Sequence, residues 1–278
     1  MRQTSPLQST STLISDAERG LGQNEFFFVL QPKLRLQENK LSGFESLIRW
    51  QHPESGVLEP AYFISVVEDS DLAGRFTDLL IARAAKTLVQ WKIAGRGDLS
   101  LAINLSAMEL GRKDLPDRLK ALFASLDVRP CAFEIELTGV VHPDQLDWLV
   151  DVIQAVQAVG VRVALDDFGA GFNSLTLLQQ LPVDTVKFDR SLIRQVTVNE
   201  ESRRMVETLV RLARNHGKRI VLTGLETSEQ FTWAKTLPDI EGQGFFISEP
   251  IDEAEVDEVF FRPAHAKHVA SSRFDLAR

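Results

Sequence analysis

The chain has 278 residues, 44% hydrophobic and 25% charged, which is too apolar for a disordered polypeptide and fits one large α/β domain or two small ones. Its 31 basic and 39 acidic residues leave a net charge of −8, and this argues against a general nucleic-acid binder, DNA included, because that class carries a basic footprint. A single cysteine, Cys131, excludes an internal disulfide framework and a Cys-rich zinc site, and no apolar run approaches the roughly 20 residues of a membrane helix.

Residues 1–23 are rich in Ser, Thr and Gln without a sustained apolar period and read as a flexible N-terminal segment. They lack the basic start and apolar block of a secretory signal, so the expected compartment is the cytoplasm. From 24 to 261 short β-branched or aromatic runs alternate with longer stretches of helical periodicity. The first strands expected are Phe26–Gln31 and Gly43–Trp50, followed by a helix over Ala61–Leu80 that continues to Trp91. Next come strand Leu99–Leu105, helix Leu115–Leu126, strand Phe133–Thr138 and helix Gln145–Val159. Strand Arg162–Asp167 precedes helix Ser174–Leu181, and strand Thr185–Asp189 precedes helix Glu200–His216. Strand Arg219–Leu225, helix Ser228–Leu237 and strand Gly242–Ile247 complete the series, and residues 262–278 read as a polar C-terminal tail. The first two strands leave no room for a helix and pair as a hairpin; the rest is the alternation of a parallel sheet. The expected architecture is a modified TIM-type (β/α)8 barrel with one antiparallel strand. A doubly wound open sheet is the rival, but neither GxGxxG nor GxxxxGK[ST] occurs.

Barrels of this kind carry their chemistry at the C-terminal strand ends. The polar residues found there are Glu45, Asn104, Glu136, Asp166, Asp167, Lys187, Glu226 and Gln243. Taken singly, an acidic residue at a strand end is commonly a loop cap, and Lys187 serves equally well as a structural partner for an aspartate. The Asp166–Asp167 pair is different, because two like charges close a buried Val-Ala-Leu run and require compensation. Gathering several carboxylates in one mouth is costly unless a hard cation such as Mg²⁺ or Mn²⁺ joins them. The histidines show neither HxH nor HExxH spacing, and Ser46 and Ser106 lack the context of a nucleophile elbow.

Nine segments in order, LQPKLRL, FESLIRWQHPESG, PAYFISVVEDS, INLSAMEL, FEIELT, ALDDFGAGFNSL, LPVDTVKFDRSLI, GLETSEQ and GQGFFISEP, resemble the EAL family of cyclic-di-GMP (c-di-GMP) phosphodiesterase domains. The resemblance implies that Glu45, Asn104, Glu136 and Asp166 ligate one divalent metal, that Asp167 helps hold a second, and that Gln243 completes the floor of the site. It implies that Lys187 orients the attacking water, and that Gln31, Leu47, Arg49, Phe245 and Pro250 contact the nucleotide. Phosphodiester hydrolysis needs an in-line attack, neutralised phosphate charge and a held leaving group, which suits a two-metal site. Arg49 would supply a charge-assisted phosphate contact.

Two departures from the family pattern stand out. Where the family has Ala-Glu-Gly-Val-Glu-Thr, this chain has Leu222-Thr223-Gly224-Leu225-Glu226-Thr227, so a threonine hydroxyl, not a base at neutral pH, replaces a carboxylate. Where the family has Glu-x-Thr-Glu, this chain ends in Gly139, which removes an anchor from the following loop. The resemblance therefore implies a degenerate EAL domain that binds c-di-GMP, hydrolyses it weakly or not at all and acts as a signalling receptor. The alternative is an active metal-dependent phosphodiesterase producing pGpG, with Glu226 or a water on Thr223 taking over the missing role. A scaffold without nucleotide is disfavoured by the clustered acidic mouth. Mg²⁺ or Mn²⁺ is the expected cofactor, at one site or both, and a homodimer and a protein signalling partner are consistent with the family.

Overall fold

The computed structural model describes residues 10–139, 146–171 and 174–261. Ten strands lie among them: β1 (Phe26–Arg35), β2 (Lys40–His52), β3 (Gly56–Leu58), β4 (Ser100–Ser106), β5 (Phe133–Thr138), β6 (Arg162–Phe168), β7 (Thr185–Phe188), β8 (Arg219–Leu222), β9 (Ile240–Gly242) and β10 (Ile251–Asp252). The order β1-β9-β8-β7-β6-β5-β4-β2 closes on itself through the β1–β2 pairing, and β3 and β10 lie alongside as short additions. The result is the expected barrel. Strand β1 runs antiparallel to both neighbours, whereas β2 and β4 through β9 pair in parallel. The cause is local: the turn joining β1 to β2 is too short for the crossover that a parallel pair needs.

The helices are α1 (Thr10–Gln23), α2 (Ile64–Glu68), α3 (Ala73–Ile93), α4 (Ala107–Leu110), α5 (Leu115–Ser125), α6 (Leu146–Ala158), α7 (Ser174–Gln180), α8 (Arg190–Ile193), α9 (Glu200–Asn215) and α10 (Ser228–Ala234). No helix among the described residues is long and apolar enough to cross a membrane. Helix α3 leads from the β2–β3 hairpin to β4 and buries Phe76, Leu80, Ala84, Leu88 and Trp91 at helical spacing. Phe76 meets Phe26 edge-on at 4.7 Å between ring centroids, and Phe26 lies 5.1 Å from Trp50, so aromatic contacts join α3 to the β1–β2 ribbon.

Several boundaries differ from the sequence reading. The segment 1–23, read as flexible, contains α1 over Thr10–Gln23, which buries Ala17 and Gly20. Asp16 of this helix lies 3.6 Å from the buried His52, and Trp50 donates its indole N–H to Glu25 just beyond the helix at 2.9 Å. The single helix expected from Ala61 to Trp91 is broken between α2 and α3, where Ser70 Oγ donates to the Val67 carbonyl and accepts from the Leu72 N–H, a local turn that competes with the helix. The strand expected to reach Leu225 stops at Leu222, and the last barrel strand covers Ile240–Gly242 rather than Gly242–Ile247. After Gly242 the chain curls into a turn in which the N–H groups of Ile247 and Ser248 both donate to the Gly244 carbonyl. The tail 262–278, the first nine residues, and residues 140–145 and 172–173 lie outside the described residues.

Strands β2 and β4 approach so closely that a Cβ at Gly43 would sit 2.2 Å from the Ser100 carbonyl oxygen. This contact sets the register that places Glu45 opposite Ala102, two residues before Asn104. Gly43→Ala is expected to destabilise the fold by about 1–3 kcal/mol through overpacking, read by urea denaturation; an unchanged midpoint would show that the strands separate there without cost.

Candidate functional site at the barrel mouth

The inward residues of β5, Glu134 and Glu136, alternate with Phe133, Ile135 and Leu137, as the twofold period of a strand requires. Glu136 is fully buried, and its carboxylate meets those of Glu45 on β2 and Asp166 on β6, with one oxygen from each lying within 4.8 Å of the others. The Lys187 ammonium, carried inward by β7 and itself 2% exposed, serves all three. It lies 3.0 Å from Glu45 and 3.2 Å from Asp166, and it donates a short hydrogen bond to Glu136. Glu45 also accepts from Asn104 Nδ2 at 2.8 Å and from Gln243 Nε2 at 2.8 Å, and the same Gln243 nitrogen donates to Gln31 at 2.8 Å.

The carboxylates differ in their proton affinity for physical reasons. Burial acts against ionisation of Glu45, but the Lys187 charge and the donors from Asn104 and Gln243 outweigh it and hold its carboxyl at about 2. Burial dominates at Glu136, reinforced by the negative charges of Glu45 and Asp166 against the opposing pull of Lys187 and Lys33, and pushes its carboxyl up to about 8. Burial likewise raises Asp167, followed by repulsion from Asp166 and Asp189. Lys187 stays charged despite burial, because Asp166, Glu136 and Glu45 surround it.

Strand alternation would send Asp166 and Asp167 to opposite faces. The pairing of β6 with β7 instead slips between Leu165 and Phe168, leaving one surplus residue, and Asp167 adopts φ 50°. Asp166 reaches Lys187 inside the barrel as the alternation dictates, and the bulge lets Asp167 line the cleft above it. The cleft, about 280 Å³ in volume, is bounded by Gln31, Asp167, Lys187, Thr223, Glu226 and Phe245 among others. Thr223 follows β8, and both its backbone N–H and its Oγ1 donate to the Phe188 carbonyl, at 3.1 and 2.9 Å.

The structure gathers most of the sequence-predicted residues at one barrel mouth. Asn104 and Gln243, expected as metal ligand and floor, turn their amide nitrogens to Glu45 and hold that carboxylate in place. Asp167, expected at a second metal, lines the cleft beside the cluster formed by Glu45, Glu136 and Asp166. Glu226 and Phe245 are exposed on the cleft wall. Leu47 and Arg49 continue the inward face of β2 beyond Glu45, paired with Val29 and Phe27 of β1, and like the half-buried Pro250 they are not part of the cleft lining. Gly139 closes β5 with φ 84°, a path that a glutamate would follow only under strain. Asp189 and Arg190 also line the cleft and were missed. The signal was available, because they directly follow the Val-Lys-Phe run of β7 at its C-terminal end.

A family model for the EAL domain matches residues 14–250. The chain belongs to the EAL domain family. It is 31% identical over 245 residues to a cyclic di-GMP phosphodiesterase of Pseudomonas aeruginosa, PA2567, covering 88% of this chain and 42% of that protein. It is 28% identical over 258 residues to the cyclic di-GMP phosphodiesterase NbdA of the same organism, covering 93% of this chain and 32% of the relative. The chain therefore spans about a third to two fifths of the length of these curated relatives. Among solved structures, the EAL fold here superposes on the PaMucR phosphodiesterase in complex with c-di-GMP with a TM-score of 0.81 at 26% identity, covering 88% of this chain and 99% of that one. The EAL enzyme Bd1971, bound to cAMP and c-di-GMP, gives 0.82 at 25% identity, covering 91% and 70%.

The raised carboxyl of Glu136 in this EAL domain has a consequence for stability. A folded-state value of about 8 against an ordinary 4.5 means that the native protein holds a proton which the unfolded chain has lost across that window. The contribution is fully present below pH about 4.5 and is lost as pH rises through 8. Without divalent ions, urea unfolding of the wild type at pH 6 and pH 8.5 is expected to show a decline that Glu136→Gln reduces; an equal decline in both proteins would place the proton elsewhere.

Proposed function

We propose that this EAL domain binds c-di-GMP and hydrolyses it weakly or not at all, acting as a receptor. The observation that carries the reading is Thr223, a neutral hydroxyl already donating to the Phe188 carbonyl, on the cleft wall where the family pattern has a carboxylate. A general base typically contributes about 10²–10⁴-fold to rate, so its loss cripples turnover without removing the binding surface.

The donor set fits a hard divalent ion such as Mg²⁺ or Mn²⁺: three carboxylates converge, and all are oxygen donors. Glu45, Glu136 and Asp166 would hold it, and when bound it neutralises charge on a phosphoryl oxygen. A second ion would depend on Asp167 and Glu226, since Thr223 offers no charge, which supports single occupancy. Lys187 would orient a water beside the ion, while Gln243 and Asn104 keep Glu45 oriented. Arg49 would give a phosphate contact, and Phe245, exposed beside the cleft, offers an apolar face for a guanine, with Leu47 and Pro250 further out. The relatives named as c-di-GMP phosphodiesterases and the c-di-GMP complex of a similar fold support this ligand.

The active phosphodiesterase producing pGpG has one observation in its favour: Glu226 lines the same cleft three residues after Thr223. The two readings separate on a single preparation. Calorimetry with c-di-GMP and Mn²⁺ is expected to show binding, chromatography of the same mixture little or no pGpG, and Thr223→Glu at least about a 100-fold gain in hydrolysis. Rapid turnover by the wild type, unchanged by Thr223→Glu, would establish the enzyme instead.

A further inference from the structure

Below the three carboxylates lies a second buried ionic layer. Lys33, on the inward face of β1 and 1% exposed, places its Nζ 3.0 Å from Glu134 Oε1 and 3.5 Å from Glu136 Oε1. It straddles two carboxylates one strand repeat apart on β5. The other oxygen of Glu134 accepts from Thr185 Oγ1 at 2.9 Å and from Arg219 at the base of the barrel. The other oxygen of Glu136 belongs to Lys187. The two oxygens of Glu136 are therefore divided, the inner one to Lys33 and the outer one to the mouth. Lys187 is shared with Glu45 and Asp166, so Lys33 is the cation that serves Glu136 from below without competing for the other two carboxylates.

We infer that Lys33 is a positioning residue that anchors Glu136 from beneath and keeps its outer oxygen presented to a divalent ion at the barrel mouth. This rests on the metal-binding part of the proposed function. A cation entering among Glu45, Glu136 and Asp166 competes with Lys187 for their oxygens. A carboxylate whose only partner is that shared ammonium would be free to turn as the ammonium is displaced. Glu134, locked by Thr185 and Arg219, holds Lys33 in turn, so the anchor is tied to the rigid base of the barrel. Groups that orient a metal ligand typically contribute about 10–100-fold to metal affinity.

The test is Mn²⁺ calorimetry at one fixed pH on the full chain, with circular dichroism to record folding. Lys33→Met, close in length and apolar, is expected to bind Mn²⁺ about 10–100-fold more weakly than the wild type while remaining folded. Lys33→Met/Glu134→Gln removes one buried charge of each sign and supplies a folded sample should the single variant fail. The inference expects its affinity to stay reduced, because Glu136 still lacks its anchor. Wild-type affinity in either variant would overturn the inference, as would loss of folding in both, which would make Lys33 a residue of the fold alone. Absence of Mn²⁺ binding to the wild type would instead overturn the metal reading on which it rests.

Discussion

An ammonium group buried among carboxylates governs the interior of this barrel. Glu45, Glu136 and Asp166 converge from three strands, and removing such charges from water costs several kcal/mol apiece unless they are paired and hydrogen-bonded. Lys187 meets that requirement from a fourth strand, and the pattern repeats below, where Lys33 and Arg219 flank Glu134. Acid and base alternate from the base of the barrel to its mouth. The apolar residues of the same strands face outward to the helices, so the fold brings its hydrophobic shell and its ionic axis from one alternating sequence pattern.

That axis explains what could be read beforehand. The strand–helix alternation reveals the barrel because each strand buries one face under a helix, and the hairpin of β1 and β2 follows from the missing connection between them. The site residues at strand ends were legible for the same reason. Lys33 was not: the expected strand ends at Gln31, whereas β1 runs on to Arg35 and its closure against its neighbours turns the lysine inward. Helix α1 escaped because its apolar face is narrow, with Ala17 and Gly20 as its buried residues, so its stability comes from the ribbon beneath it. The final strand was shifted because Phe245, Phe246 and Ile247 look like strand residues, yet the turn at Gly244 ends the ladder before them.

The supports of Glu45 are independent of the residue that follows β8. Asn104, Gln243 and Lys187 all hold this carboxylate, and none depends on position 223. Thr223 is tied to Phe188, a backbone contact that leaves the acidic cluster undisturbed. A hydroxyl at the end of β8 thus leaves the geometry of the acidic cluster standing.

The slip in pairing between β6 and β7 separates the two adjacent aspartates in a similar way. Asp167 is the surplus residue of that slip: with Asp166 facing in and Phe168 opposite Phe188, a strand lacking it would alternate without interruption. The carboxylate that the family resemblance links to a second ion thus rides on a bulge, whereas its neighbour belongs to the regular ladder. The bulge absorbs the extra residue within a single step, so that Phe168 again faces Phe188 and the pleat beyond it resumes its phase.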